Sequence, residues 1–223
     1  MELRGEALIK TYLRRSGLSN VLEAVKETDI TVAAGSMIAV TGRSGSGKST
    51  LLCMLAGLLT PTSGKVYVSG KDLYAMDDRE RSVLRNTSFG IIPQGQSSLG
   101  SLTVLENVLA PAMMYGKKPD RERAGQLMER LGIENLASAY PSELSGGELR
   151  RMAIARALIL NPGIILADEP TGDLDDENTA EVLSVLREEA DRGAAVFLVT
   201  HESMTEKYAD KVFRMKAGKL DDD

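Results

Sequence analysis

The chain has 223 residues, 43% of them apolar and 26% charged, with a net charge of −5 and a single cysteine. This is the profile of a soluble globular chain, long enough for one large α/β domain or for one domain with a sizeable insertion. It excludes an internal disulfide, fits a reducing cytosol, offers no run of 18 apolar residues to span a membrane, and argues against a broad nucleic-acid surface.

The start, MELRGEALIK, lacks the continuous apolar segment of a secretory signal. Residues 1–41 read as strands: Leu8-Ile9 with Tyr12-Leu13, then Ile30 and Val32 alternating before the turn at Gly35, then 37–40. Residues 15–20 read as a turn. Tyr12 could stack on a nucleobase, although its spacing favours a half-buried strand tyrosine.

Next comes Gly42-Arg43-Ser44-Gly45-Ser46-Gly47-Lys48-Ser49-Thr50, which fits G-x-x-x-x-G-K-[ST]. The four fixed positions match by chance in roughly one chain of this length in a hundred. An apolar strand before the loop and a helix after it, 51–56, supply the context the pattern needs. Glycines let backbone N–H groups converge on phosphate oxygens, and the helix start adds unpaired donors and the positive end of its dipole. Lys48 brings a mobile point charge for terminal phosphates, and the Ser49 hydroxyl is placed to bind Mg²⁺. Cys53, on that helix, reads as a small buried hydrophobe.

Beyond a turn at 61–64 and a short strand at 65–68, a helix opens at Asp77-Asp78. The apolar strand at 89–92 is closed by Pro93, which has no N–H for a ladder, and ends on the polar amide of Gln94. From about 95 to 160 the composition turns helical, an insertion in an α/β domain. Thr103 and Glu106 form a capping box, Pro111 should kink the helix that follows, and a second helix over 121–131 ends at Gly132. Met113-Met114 read as core, with a docking face as the alternative.

Ser145 and Glu148 form another capping box in LSGGE, opening a helix that runs to about 160. Gly146 and Gly147 leave its first N–H groups uncovered, which suits either an anion site or a flexible helix start. The strand at 164–167 is apolar throughout, as for one buried on both faces of a parallel sheet, and ends in Asp168-Glu169. Ligands bind at the carboxyl ends of such strands. Asp168 suits Mg²⁺ or its waters, and Glu169 suits a base that orients and deprotonates water. A turn at 172–175 leads to a helix near 177–192, then a buried strand over 194–200 ends on His201, at the same sheet edge. Residues 212–220 read as a hairpin.

The phosphate loop, Gln94, LSGGE at 144–148, Asp168-Glu169, the 172–175 turn and His201, in that order, resemble the ATP-binding subunit of an ABC transporter over nearly the whole chain. The fold this implies is α/β: a P-loop NTPase core with a parallel sheet, an N-terminal antiparallel β subdomain and an inserted α-helical subdomain, within a single domain spanning 1–223. By that resemblance the residues of 42–50 wrap the triphosphate, Ser49, Gln94 and Asp168 hold Mg²⁺, and Glu169 polarises the attacking water. His201 contacts the γ-phosphate and Tyr12 stacks on adenine. Ser145, Gly146 and Gly147 reach the γ-phosphate held by a second copy of the chain, facing it head to tail, and Asp175 belongs to the loop linking the two sites. Each chain then owns half of each hydrolytic site.

The helical insertion and the loop after Gln94 would grip a separate integral membrane, permease-like subunit at the cytoplasmic face of the cell membrane. Residues 102–108, Tyr140-Pro141 and 170–175 look like the subgroup for lipoprotein release, macrolide efflux, antimicrobial-peptide or haem export, and cell division. No regulatory extension or fused membrane domain is expected. A regulator of cell division or cell-wall remodelling acting through a membrane partner without transport is the alternative; a DNA-repair or translation ATPase fits an acidic chain poorly, so no nucleic acid is expected. Three positions depart from the family pattern: Pro93 replaces an aromatic residue, Leu149-Arg150-Arg151 replaces glutamines and adds positive charge near the helix start, and Asp173 stands where Asn is common.

Overall fold

The computed structural model describes residues 1–13, 21–95, 97–114, 116–172 and 174–222. The turn read at 15–20 and the departure at Asp173 lie outside the described residues.

Two sheets share the strands. Strands β1 (Leu3–Leu13) and β2 (Val21–Val32) pair antiparallel in a four-stranded sheet. Its order is β2-β1-β4-β5, completed by β4 (Ser63–Val68) and β5 (Lys71–Asp72). The second sheet has six strands: β3 (Met37–Thr41), β6 (Phe89–Ile92), β7 (Ile164–Asp168), β8 (Ala195–Thr200), β9 (Lys211–Lys216) and β10 (Lys219–Asp222). Their order is β10-β9-β3-β8-β7-β6, parallel from β9 to β6, with β10 added antiparallel as the second arm of the hairpin.

The pleat sorts each strand's side chains between two cores. Ile164 and Leu166 of β7 join Val40, Phe197 and the helix α1 (Lys48–Leu55) in the core between the two sheets. Ile165 and Ala167 face the other way, toward the helices, with Val196 and Leu198. Burial on both faces is why these strands read as continuous apolar runs.

Between β5 and β6 lies α2 (Asp78–Ser88), with Asp77 as its N-cap. Between β6 and β7 the chain makes α3 (Val104–Met114), α4 (Arg121–Arg130) and α5 (Gly146–Leu158), and α6 (Asp176–Asp191) leads into β8. Helix α3 opens on the expected box, Thr103 N–H donating to Glu106 Oε2 at 2.8 Å, and runs on through Pro111. Asn107 is fully buried; its amide oxygen accepts from Leu99 N–H, and its two N–H donors are shared among the carbonyls of Leu99, Leu102 and Thr103, so one side chain ties down the turn before α3. Among the described residues no helix is long and apolar enough to cross a membrane.

Two readings need correction. Met113 and Met114, read as core, are 55% and 77% exposed at the end of α3. Cys53 is only partly buried. Leu149 and Arg150 are both buried, so the positive charge that Arg150 adds near the start of α5 is turned inward.

Candidate functional site: a cavity at the strand ends

Four neighbouring strands stop level with one another. Thr41 of β3 stands opposite Thr200 of β8, Asp168 of β7 opposite Val199, and Ile92 of β6 opposite Ala167. The segments leaving these ends carry the phosphate loop, His201, Glu169 and Gln94 to one edge of the sheet, as the crevice rule for open α/β sheets requires. They line a cavity of about 1300 Å³ with Tyr12, residues 43–50, Arg150 and the Ala217-Gly218 turn.

The loop's glycines are fixed by what surrounds them. Gly47 has φ +110°, and a Cβ there would lie 2.1 Å from the Ala24 carbonyl oxygen on β2. Gly42 would bring a Cβ within 2.3 Å of the Met215 carbonyl oxygen on β9. Gly218 N–H, at the tip of the β9–β10 hairpin, donates to the Ser46 carbonyl at 2.9 Å. The start of α1 has no side-chain cap, leaving its first N–H groups for an anion. Lys48 is 7% exposed and its Nζ donates to the Gly42 carbonyl at 2.7 Å, so the cation is held at the loop's centre. The Ser46 hydroxyl is buried with no hydrogen-bond partner among the described residues, an orphan that a ligand oxygen would satisfy.

Ser49, one residue into α1, donates from Oγ to Asp168 Oδ1 at 3.1 Å. Asp168 is 6% exposed. Burial pushes its carboxyl above the usual range, and the neighbouring Glu169 charge adds to this, while Ser49, Lys48 and Arg150 oppose it. A hydroxyl and a buried carboxylate, with the Gln94 amide on the same cavity wall, are hard oxygen donors suited to Mg²⁺. They are too few to hold the ion without phosphate and water, and among the described residues no group of three acidic, His or Cys side chains forms a protein-only cage.

Glu169 has φ +49°, a left-handed conformation that costs a non-glycine residue on the order of 1–2 kcal/mol. Its N–H donates to the Val199 carbonyl at 2.8 Å, pinning the strained residue to β8. One carboxylate oxygen lies 2.9 Å from His201 Nδ1 and accepts from His201 N–H at 3.3 Å. The other oxygen lies 3.9 Å from Lys48 Nζ. His201 itself is largely exposed, so the pair opens into the cavity.

Ser145, Gly146, Gly147 and Asp175 are not part of this cavity. Ser145 and Gly146 are exposed, with the Ser145 hydroxyl and N–H each donating to Glu148 Oε2 at 2.7 Å, the second expected capping box. Asp175 caps α6 by accepting from Asn178 N–H at 2.8 Å, and Leu174 backs Gly147. Sequence reading missed Arg150, Glu202 and the 217–218 turn. Arg150 had a signal: it sits on α5 in line with Ala153 and Ile154, on the apolar stripe.

The family model described as ABC transporter matches residues 25–172. The lipoprotein-releasing system ATP-binding protein LolD of Xanthomonas campestris pv. campestris (strain 8004) is 43% identical over 222 residues, covering 98% of this chain and 91% of that one. The ABC transporter ATP-binding protein YtrE of Bacillus subtilis (strain 168) is 39% identical over 92% of this chain and 90% of its own. The dimeric structure of MJ0796, described as a bacterial ABC transporter cassette, superposes with a TM-score of 0.89 at 31% identity, covering 99% of this chain and 98% of that one. Its post-hydrolysis state, bound to ADP and Pi, superposes equally well. Sequence and fold thus agree with the order of motifs along the chain, which belongs to the ABC transporter family as an ATP-binding, ATP-hydrolysing subunit.

Proposed function

We propose that the chain binds ATP with Mg²⁺ at the strand-end cavity, hydrolyses it as a head-to-tail pair, and powers a separate membrane subunit at the cytoplasmic face of the cell membrane. Of the expected transport classes, lipoprotein extraction is the one a relative's name supports.

The triphosphate lies along residues 43–50, with the α1 N–H groups and Lys48 on its oxygens and the Ser46 hydroxyl finding its missing partner. Mg²⁺, held by Ser49, Asp168 and Gln94, supplies charge neutralisation on the phosphates. Glu169 orients the attacking water and takes its proton, with His201 fixing the carboxylate from one side. The largely exposed His201 ring, its Nε2 3.7 Å from Glu202 Oε1, meets the γ-phosphate, and Tyr12, 40% exposed on the cavity wall, stacks on adenine. Ser145, Gly146 and Gly147 serve the triphosphate of the facing copy, and Asp175 lies at the junction between sites. A membrane subunit fits the groove of about 330 Å³ between Phe89 and Ile91 of β6 and Pro111 and Met114 of α3, beside the exposed Met113. Ser82, Arg85, Asn86 and Arg156 also line it, so a permease segment that pairs an apolar side chain with an acidic or polar one suits it.

One observation supports this reading: the cavity gathers Lys48, Ser49, Gln94, Glu169 and His201 while Ser145 and Gly146 lie exposed outside it, available to a facing copy. Hydrolysis per chain should therefore rise with protein concentration. A rate per chain that stays flat down to separated monomers contradicts the shared site. Glu169→Gln should keep ATP affinity, lose about 10²–10⁴-fold in turnover, and migrate as a dimer with ATP on size exclusion. Unchanged turnover would remove Glu169 from the role of base.

A further inference from the structure

Arg150 is the departure from the family pattern that the site has not yet explained. It lies one turn into α5 and is 8% exposed, among the buried Leu149, Ala153 and Ile154. A guanidinium cannot shed its charge in such a place, so its partners determine what it does. One η nitrogen donates to the Pro93 carbonyl oxygen at 2.8 Å. That oxygen belongs to the peptide plane whose nitrogen is that of Gln94, so the bond fixes the direction in which Gln94 leaves β6. The other η nitrogen lies beside Gly172, 3.8 Å from where a Cβ would stand, and the positive charge works against proton binding at Asp168. Arg150 thus reaches from α5 to the segments that follow β6 and β7. The next residue, about 100° round the helix, reaches a different neighbour: Arg151 donates to Asn178 Oδ1, and Asn178 Nδ2 donates to the Asp175 carboxylate at 2.8 Å.

We propose that Arg150 is a positioning residue that couples the two nucleotide sites of the pair. It ties the Ser145-Gly146-Gly147 loop, which serves the facing copy's triphosphate, to Gln94, which serves this copy's own metal. This rests on the head-to-tail reading above. Helix α5 is one hydrogen-bonded rod from Gly146 to Leu158, so a movement of the loop at its start is carried to Arg150. From there it passes to the 93–94 peptide. A neutral side chain would let loop and peptide move separately. Lysine, with one point charge and no second arm, would keep the contact to Pro93 and lose the one beside Gly172.

The test uses the full chain carrying Glu169→Gln, with and without Arg150→Met. ATP affinity of separated chains is read by equilibrium dialysis at high dilution, and ATP-driven dimerisation by sedimentation. We expect affinity within twofold of the parent and dimerisation weakened by about tenfold, the scale of one charge-assisted hydrogen bond, with Arg150→Lys recovering most of it. With Glu169 intact, Arg150→Met should lower kcat and flatten a sigmoid dependence of rate on ATP, with KM little changed. A purely structural role would lower Tm without separating monomer affinity from dimerisation. If Arg150→Met does not fold, Arg150→Leu, which also removes every donor, takes its place with the same readouts. Dimerisation indifferent to position 150 overturns the coupling. So does monomer affinity that falls as far as dimerisation, which would make Arg150 a phosphate contact of its own site. A Glu169→Gln chain that never dimerises with ATP overturns the head-to-tail reading and the coupling with it.

Discussion

Gly45 and Gly47 stand two residues apart in the same loop, and their letters alone do not distinguish them. Both have positive φ, +76° and +110°, but nothing lies within 4 Å of a Cβ on Gly45, whereas one on Gly47 would strike the Ala24 carbonyl at 2.1 Å. Gly45→Ala should therefore cost only the left-handed backbone penalty, about 1 kcal/mol. Gly47→Ala must also displace β2 and should cost roughly 2–4 kcal/mol, seen as a larger fall in the urea midpoint. Equal midpoints for the two variants would contradict the packing of β2 over the loop. Residue chemistry was legible in the sequence wherever a fixed spacing carried it: Lys48 and Ser49 in the loop, Asp168 and Glu169 at a strand end. Ala24 and Met215 were not legible, because they shape the loop through carbonyl oxygens that any residue type would supply.

Helices α3 and α5 open on capping boxes of the same design, Thr103 with Glu106 and Ser145 with Glu148, and this makes one a control for the other. Thr103→Ala and Ser145→Ala should each cost about 1 kcal/mol of stability. Only Ser145→Ala should also depress kcat of the paired chain, since the head-to-tail arrangement proposed above puts only that box at the phosphate of a facing copy. Hydrogen bonds from the Ser145 hydroxyl and then its N–H hold the Glu148 carboxyl below the usual range. A group with a lowered folded pKa stabilises the fold above its unfolded value and loses that contribution as pH falls through the folded one. The Tm gap between parent and Ser145→Ala should accordingly be widest near neutral pH and shrink below about pH 4, the ordinary carboxylate range. A gap that grows toward acid contradicts the box as its source. Element types were readable because period and punctuation are local; the strand order β10-β9-β3-β8-β7-β6 was not, since pairing is decided by partners distant in sequence. The exposure of Met113 and Met114 was hidden for the same reason: an apolar helix end does not reveal which side lacks a neighbour.

At the scale of the molecule, α4 and α6 meet across a seam of opposite charges joining the inserted helices to the parallel sheet's own layer. Arg123 lies 3.7 Å from Glu189 and donates to the Leu158 carbonyl at 2.9 Å, Arg192 donates to Glu189 at 2.7 Å, and Arg130 pairs with Glu188. The two acids differ in setting. Each is engaged by two arginines, but the Glu189 side chain is 6% exposed and its partner Arg123 17%, while that of Glu188 is 39% exposed and its partners Arg130 and Arg192 51% and 62%. Removing a buried partner leaves the opposite charge stranded, whereas an exposed pair contributes little and is screened by salt. Glu189→Ala should thus cost about 3 kcal/mol in urea unfolding, and Glu188→Ala under about 1 kcal/mol. Raising salt should erase the small difference and leave most of the large one. If both losses vanish together in salt, Glu189 is hydrated rather than sealed. The seam would then be a loose contact, free to let the α3–α5 layer turn against the sheet as nucleotide comes and goes.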